Sequence, residues 1–314
     1  MSTVSVIGAG NVGATAVYYL AERDLADIVM VDVVEGMPQS KALDFMHASP
    51  LRQYSARIFG TTSIEEIRGS EVVVLTAGIA RKPGMDRMDL LATNARIAQH
   101  AARAVREHAP DAVVIVVTNP LDIISLVMLR ETGFEPRRVF GQAGVLDSTR
   151  FRYFIAERLG VWPGDVQAMV LGGHGDSMVP LERYTSVAGF PVEELLEQNA
   201  VDSLVERTRK GGAEVISHLK TGSAFYAPAA SVAKMVESVV RDQRRLLPAS
   251  IYLDGEYGYR GIYLGVPVIL GRGGVEQIIQ LPLTDQERRA LDASARAVRE
   301  GARLLDSLYR DGVL

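Results

Sequence analysis

Asp147 and Arg150 stand three residues apart in GVLDSTRFR, and His174 lies among glycines in LGGHGDSMVP. A spacing of three puts the carboxylate and the guanidinium on one face if that segment is helical. An imidazole has the ordinary pKa best suited to taking and returning a proton near neutrality. A guanidinium offers a planar fork that matches a carboxylate. Two further stretches carry polar groups in telling places. VTNPLD puts Asn119 just after an apolar run, and TAGIARKPGMDR puts Arg81, Lys82 and Arg87 in a loop marked by Pro83 and Gly84. Each has an ordinary alternative: an Asp–Arg pair is commonly a surface ion pair, and a lone His among glycines is commonly a turn residue. His100 and His108 read as helix-surface residues, His47 and His218 have no second feature beside them, and no His-rich metal spacing occurs.

The elements that must position these groups are legible. Short apolar runs, TVSVIG, DIVMVD, SARIFG, EVVVLTA, AVVIVVT and RRVFG, alternate with helical patterns over roughly the first 140 residues. Their apolar residues run together, as expected of strands buried on both faces of a parallel sheet covered by helices. That alternation predicts an α/β, doubly wound domain over residues 1–142, and Asn119 falls at the carboxyl edge of a strand, where such sheets bind ligands. Beyond it, residues 143–314 read as an α+β domain. It has a helix near STRFRYFIAERLG, long helices from about 192 to 245, and antiparallel strands in the Gly-punctuated block 249–280. Thr284 and Glu287 fit a capping box that starts a C-terminal amphipathic helix. The helical stretches at 37–48 and 224–240 could serve either the core or a contact between copies.

VSVIGAGNVGATAVYYLAERDLADIVMVD holds Gly8, Gly10 and Gly13 in a G-x-G-x-x-G pattern. The pattern follows a strand, opens a helix and is followed about 20 residues on by Asp32 at the end of the next strand, the arrangement of a dinucleotide-binding turn. Gly8 allows the tight turn, Gly10 the approach of a pyrophosphate, and Gly13 the packing of helix on strand. Asp32, with no Arg after it in VDVVEGM, favours NAD over NADP because a carboxylate accepts from ribose hydroxyls and repels a 2′-phosphate.

Composition removes other classes. The 314 residues contain no cysteine, which excludes disulfides, thiolate nucleophiles and cysteine metal sites. The formal net charge of −4 gives no reason to expect nucleic acid. Runs such as AVVIVV fall far short of a membrane span, and MSTVSVIGAG lacks a basic segment followed by an apolar one, so a soluble, cytoplasmic protein without a signal peptide is expected.

Taken together, GAGNVG, TAGIARKPGMDR, VTNP, LDSTRFR, GGHGDSMVP and SAFYAPAAS resemble the lactate/malate dehydrogenase family, specifically its lactate-dehydrogenase-like malate dehydrogenase branch, along the whole chain. The resemblance implies a Rossmann domain followed by a substrate domain. It also implies NAD-dependent oxidation of (S)-malate to oxaloacetate, a tricarboxylic acid cycle reaction. By that resemblance His174 is the general acid/base, Asp147 its partner, and Arg150 the clamp for the substrate C1 carboxylate. ARKPGMDR is the mobile lid, within which Arg87 polarises the reacting carbonyl and Arg81 meets the second carboxylate. Lactate dehydrogenases carry an uncharged Gln at the position of Arg81. Ala224 is consistent with room for the larger substrate, and Lys82 is read as solvated. Asn119 binds substrate, and cofactor contacts are implied at Gly8, Gly10, Asn11, Val12, Gly13, Asp32, Asn94, Val117 and Asn119. No metal is implied, and the branch forms homo-oligomers, commonly tetramers and sometimes dimers. A lactate or other 2-hydroxyacid dehydrogenase is the nearest rival. NAD-dependent glycosidases would need a Cys- and His-bound metal, and a non-catalytic descendant would not need Arg87, Asp147, Arg150 and His174 together.

Overall fold

The computed structural model describes residues 2–79, 87–220 and 222–314, with only the backbone of Arg87. The first half alternates β1 (Thr3–Ile7), α1 (Asn11–Ala21), β2 (Asp27–Val31), α2 (Met37–Arg52), β3 (Ile58–Thr61), β4 (Val72–Leu75), α3 (Arg87–His108), β5 (Val113–Val116), α4 (Leu121–Thr132) and β6 (Val139–Gly141). α5 (Ala143–Leu159), β7 (Val166–Leu171), β8 (Val179–Val187), β9 (Phe190–Pro191), α6 (Val192–Leu195), α7 (Gln198–Leu219) and α8 (Tyr226–Val240) follow. The chain closes with β10 (Arg245–Asp254), β11 (Arg260–Gly271), β12 (Gly274–Ile278) and α9 (Asp285–Arg310).

β1 to β6 pair in parallel in the order β3-β2-β1-β4-β5-β6. Every residue of β4 (VVVL) and β5 (VVIV) is buried, which is why these strands lack the alternation of a sheet with a wet face. β1 lies between β2 and β4, so the strand order reverses there. The chain then leaves β1 toward one face and β4 toward the other, and a crevice opens beyond their carboxyl ends. Gly8–Asn11, Thr76–Ile79 and Val117–Asn119 follow β1, β4 and β5 into that crevice.

The sheet does not stop at residue 142. β10 pairs antiparallel with β6 through Ser250 and Gly141, and β11 and β12 extend the sheet to nine strands. Tyr263 on β11, fully buried, donates to the Val139 carbonyl at 3.0 Å and ties this extension to the parallel part. One continuous apolar core therefore spans both halves, and a smaller one lies between α5, α7 and the three-stranded sheet β7-β8-β9. β10 begins at Arg245, earlier than its apolar run suggests, because Arg245–Leu247 pair with Leu270–Val268 of β11. The expected helical stretch of 192–245 is three helices separated by short breaks.

The capping box at Thr284 is present: its hydroxyl accepts from Glu287 N–H at 3.2 Å and the Glu287 carboxylate accepts from Thr284 N–H at 2.7 Å. His108 departs from the expectation. It is buried at the end of α3, with Nδ1 3.1 Å from Arg68 Nη2 and its carbonyl accepting from Gly69 N–H. The loop after β3 folds over the helix end and covers a ring that the helical pattern alone leaves outside. Among the described residues no helix is long and apolar enough to cross a membrane.

Candidate active site

The nucleotide turn is built by close approach. Gly8 has φ +111°, and a Cβ there would collide with the Ala77 backbone and the Thr76 hydroxyl. A Cβ on Gly13 would strike the Gly8 carbonyl, so α1 packs on β1 only with glycine at that position. Thr76, at the end of β4, donates to the Gly8 carbonyl at 2.9 Å and fastens the turn to the neighbouring strand. Gly10 differs from these: a Cβ there would meet no protein atom within 4 Å, and its φ of −66° is open to any residue. Internal packing therefore does not require glycine at position 10, and the turn is open on that side, as a passing phosphate would need. Gly10 caps α1 without a side-chain hydrogen bond, which leaves the first-turn N–H groups, including those of Asn11 and Val12, to face an anion.

Asp32 sits at the end of β2, as the sequence spacing predicts. Its Oδ2 accepts from Ala9 N–H at 2.7 Å and its Oδ1 from Val34 N–H at 3.1 Å. Each oxygen keeps a lone pair for a ribose hydroxyl. Lys41 on α2, which carried no signal in the sequence, donates to the Ala9 carbonyl at 2.6 Å and holds the same turn from the other side. These residues fit a dinucleotide.

Asn94, for which the resemblance implies a cofactor contact, lies on α3 beside the loops after β4 and β5. It is 1% exposed, its Oδ1 accepts from Ile79 N–H at 2.8 Å, and its Nδ2 donates to the Asn119 carbonyl at 2.7 Å and the Ile79 carbonyl at 3.2 Å. The amide is thus bonded to the backbone of both loops and ties the one after β4 to the one after β5. Val117 is half-buried with its N–H on the Leu75 carbonyl, whereas Asn119 is exposed at the crevice edge.

Asp147 and Arg150, neighbours on one helix, meet the more distant His174 beyond that edge. His174 Nδ1 lies 2.9 Å from Asp147 Oδ2, and Arg150 Nη1 lies 3.5 Å from Asp147 Oδ1. α5 supplies Asp147 and Arg150 from one face, and the loop after β7 brings His174 to them. The pair is no surface salt bridge: the Asp147 side chain is 3% exposed and that of Arg150 15%. With Nδ1–H donated to Asp147, the tautomer is fixed, and Nε2 has no hydrogen-bond partner among the described residues. Burial pulls the His174 pKa down, but the charge and hydrogen bond of Asp147, with further help from Asp122, outweigh it and hold the imidazole above its ordinary 6.5. Burial draws the Arg150 pKa down and Asp147 offsets part of that; a guanidinium remains charged regardless.

The loop itself is anchored to three elements. Gly172 exchanges backbone hydrogen bonds with Gly265 of β11 at 2.9 and 3.0 Å, and Gly173 N–H donates to Ser294 of α9 at 2.8 Å. His174 N–H donates to Asp122 of α4 at 2.9 Å, and the Ser294 hydroxyl lies 3.2 Å from that of Ser177. Asp122 and Ser294 escaped the sequence reading. Asp122 stands in the same VTNPLD stretch as Asn119, and an acidic residue in a buried helical turn was the available signal. Ser294 had none. Arg81 and Lys82 lie outside the described residues, and Arg87 opens α3 with its side chain outside them as well.

A family model for the lactate/malate dehydrogenase NAD-binding domain matches residues 2–141, and one for the lactate/malate dehydrogenase alpha/beta C-terminal domain matches residues 144–303. The chain belongs to the lactate/malate dehydrogenase family. It is an NAD-dependent oxidoreductase with the mixed α/β fold of that family. It is 54% identical to a malate dehydrogenase of Methanosarcina mazei over 98% of this chain and 100% of the relative. Among solved structures, the apo malate dehydrogenase of Picrophilus torridus superposes with a TM-score of 0.96 at 42% identity, covering 99% of both chains. The lactate dehydrogenase of Cryptosporidium parvum, complexed with lactic acid and nicotinamide adenine dinucleotide, superposes with 0.93, also at 42% identity, covering 97% of this chain and 98% of that one. Within the family the backbone is thus shared by both activities, and the choice of substrate rests on side chains.

Proposed function

We propose that this family member catalyses the reversible reaction (S)-malate + NAD⁺ ⇌ oxaloacetate + NADH + H⁺, with residues 1–142 holding the dinucleotide and 143–314 supplying most of the catalytic groups. The observation that carries the chemistry is the His174–Asp147 hydrogen bond at 2.9 Å with Arg150 on the other carboxylate oxygen. NAD, when bound, accepts the hydride released from C2. Every other task belongs to side chains. Neutral His174 takes the hydroxyl proton on Nε2 during malate oxidation and, as imidazolium, returns it to the carbonyl oxygen during reduction. Asp147 holds the ring and favours its charged form. Arg150 receives the C1 carboxylate in a forked pair, and Asn119 hydrogen-bonds beside the reacting oxygen. Arg87 polarises that oxygen, and Arg81 pairs the second carboxylate of the dicarboxylate.

The substrate assignment is tested by steady-state reduction of oxaloacetate and pyruvate with NADH. A kcat/KM at least about a hundredfold higher for oxaloacetate is expected, which is about 2.7 kcal/mol at 1.36 kcal/mol per decade. A preference for pyruvate would leave the proton chemistry intact and make this a lactate dehydrogenase.

The pH dependence follows from the raised His174 pKa. Reduction needs the imidazolium, so kcat/KM for oxaloacetate is flat on the acid side and falls tenfold per pH unit above a midpoint higher than 6.5. Malate oxidation needs the neutral ring and runs the opposite way, rising through the same region. Profiles of both directions at saturating cofactor check this; oxaloacetate reduction that climbs with pH would remove His174 from the role of acid.

The wider reading is of a cytoplasmic enzyme of the tricarboxylic acid cycle that works as a homo-oligomer, tetramer or dimer. Exposed Leu43 and Leu51 on α2 and exposed Tyr226 at the start of α8 support a face that a second copy covers; the rest of α8 is largely core.

A further inference from the structure

Asp122 is 6% exposed in the first turn of α4 and, among the described residues, has no cationic side chain as a hydrogen-bond partner. Its Oδ2 accepts the backbone N–H of His174 at 2.9 Å, and its Oδ1 accepts from the Ser250 hydroxyl of β10 at 2.6 Å. One carboxyl group therefore joins three separated parts of the chain: the helix that begins two residues after Asn119, the strand that extends the parallel sheet, and the loop that carries the imidazole. A carboxyl group is costly to bury, and a neutral amide of the same shape could keep both contacts, its oxygen accepting from His174 N–H and its nitrogen donating to the Ser250 oxygen. Something other than loop shape accounts for the acid.

The charged groups that face His174 among the described residues are Asp147 and Arg150 from α5 and Asp122 from α4. β10 and α9 present neutral hydroxyls, Ser250 to Asp122 and Ser294 to the Gly173 amide. Asp147 is partly offset by Arg150 at 3.5 Å, whereas among the described residues Asp122 has only neutral donors on its oxygens. We propose that Asp122 is a second positioning carboxylate of the catalytic histidine, which fixes the 172–177 loop through the His174 amide and supplies negative charge that favours the imidazolium. The inference rests on His174 being the proton donor. It assigns Asp122 no contact with substrate or cofactor. Two donors on its oxygens favour the ionised form that this role requires, against burial, which raises its own pKa.

The test is the pH profile of kcat/KM for oxaloacetate in wild type, Asp122→Asn and His174→Asn. In Asp122→Asn the amide oxygen still accepts from His174 N–H and the amide nitrogen can donate to the Ser250 oxygen, while the charge is gone. The midpoint of the alkaline decline is expected to move down by half a pH unit or more. It is read from the shape of the profile and does not depend on the height of the plateau. A midpoint equal to that of wild type overturns the proposal, because a purely structural role would not set it. If Asp122→Asn does not fold, Ser250→Ala takes its place: loss of a donor on Oδ1 makes the carboxylate easier to neutralise, so the midpoint moves in the same direction by less. A midpoint that stays or rises in Ser250→Ala overturns the proposal. His174→Asn separates the two levels. If it keeps the wild-type profile, the assignment of His174 as acid falls, and the Asp122 proposal falls with it. If it loses activity while Asp122→Asn keeps the wild-type midpoint, the assignment of His174 stands and only the Asp122 proposal falls.

Discussion

Replacing His174 with asparagine is expected to lower kcat for oxaloacetate reduction by about 10²- to 10⁴-fold, the range over which a positioned general acid contributes. That is roughly 2.7 to 5.5 kcal/mol of transition-state stabilisation at 1.36 kcal/mol per decade. The geometry says why the loss falls on the chemical step. Nδ1 is committed to Asp147 Oδ2 at 2.9 Å, so the only ring atom that can serve the substrate is Nε2. An asparagine amide can still donate to Asp147 but has no group that titrates near neutrality. The backbone amide of residue 174 keeps its bond to Asp122, so the loop remains anchored. NADH affinity should change little, since the residues that fit the dinucleotide lie on the β1 turn and at Asp32. Stopped-flow reduction with pre-bound NADH, together with fluorescence titration of NADH, would check both halves. A variant with near-normal kcat would show that the proton comes from elsewhere.

Replacing Arg81 with glutamine should reverse substrate preference. A second carboxylate brought into a closed site needs a partner, and removing one member of a desolvated pair costs roughly 2–5 kcal/mol, or about thirty- to several thousand-fold. Oxaloacetate reduction is therefore expected to fall by that factor, while pyruvate, which ends in a methyl group, holds steady or gains. The argument rests on charge and on the resemblance of TAGIARKPGMDR to the family, since Arg81 lies outside the described residues. Its sharpest reading is the ratio of the two kcat/KM values, because a general disturbance of the loop would lower both together and leave the ratio in place. An unchanged ratio would transfer the specificity role to another cation.

These two predictions draw on different sources. The Arg81 prediction was available from sequence because one charge decides it. The His174 prediction needed the fold, because residues 147 and 174 are separated by α5, β7 and a turn, and no spacing rule connects them. The resemblance to the family supplied their meeting in advance, and the structure gives it distances: 2.9 Å to one oxygen, with Arg150 3.5 Å from the other.

The amino-acid sequence by itself determined the features that arise from local chemistry. Runs of valine and isoleucine without alternation specify doubly buried parallel strands. Gly8 and Gly13 specify a turn that no other residue fits, and Thr284 with Glu287 specifies a helix start. Each of these is signalled within a short stretch of sequence, even where, as at Gly8, the atoms that enforce it belong to Thr76 and Ala77. Only the tertiary structure decided which polar groups face the crevice and which stand behind it. Asn94 carries a side-chain amide whose partners, the backbone of Ile79 and Asn119, no local pattern names. His108 looks like a surface residue, yet the Arg68 loop covers it. Asp122 looks like the acidic first turn of an ordinary helix, yet it joins Ser250, 128 residues away, to the His174 loop. The physical reason is common to all three. A buried polar group must find its partner wherever packing brings one, and that partner is set by how the sheet and helices stack, not by distance along the chain.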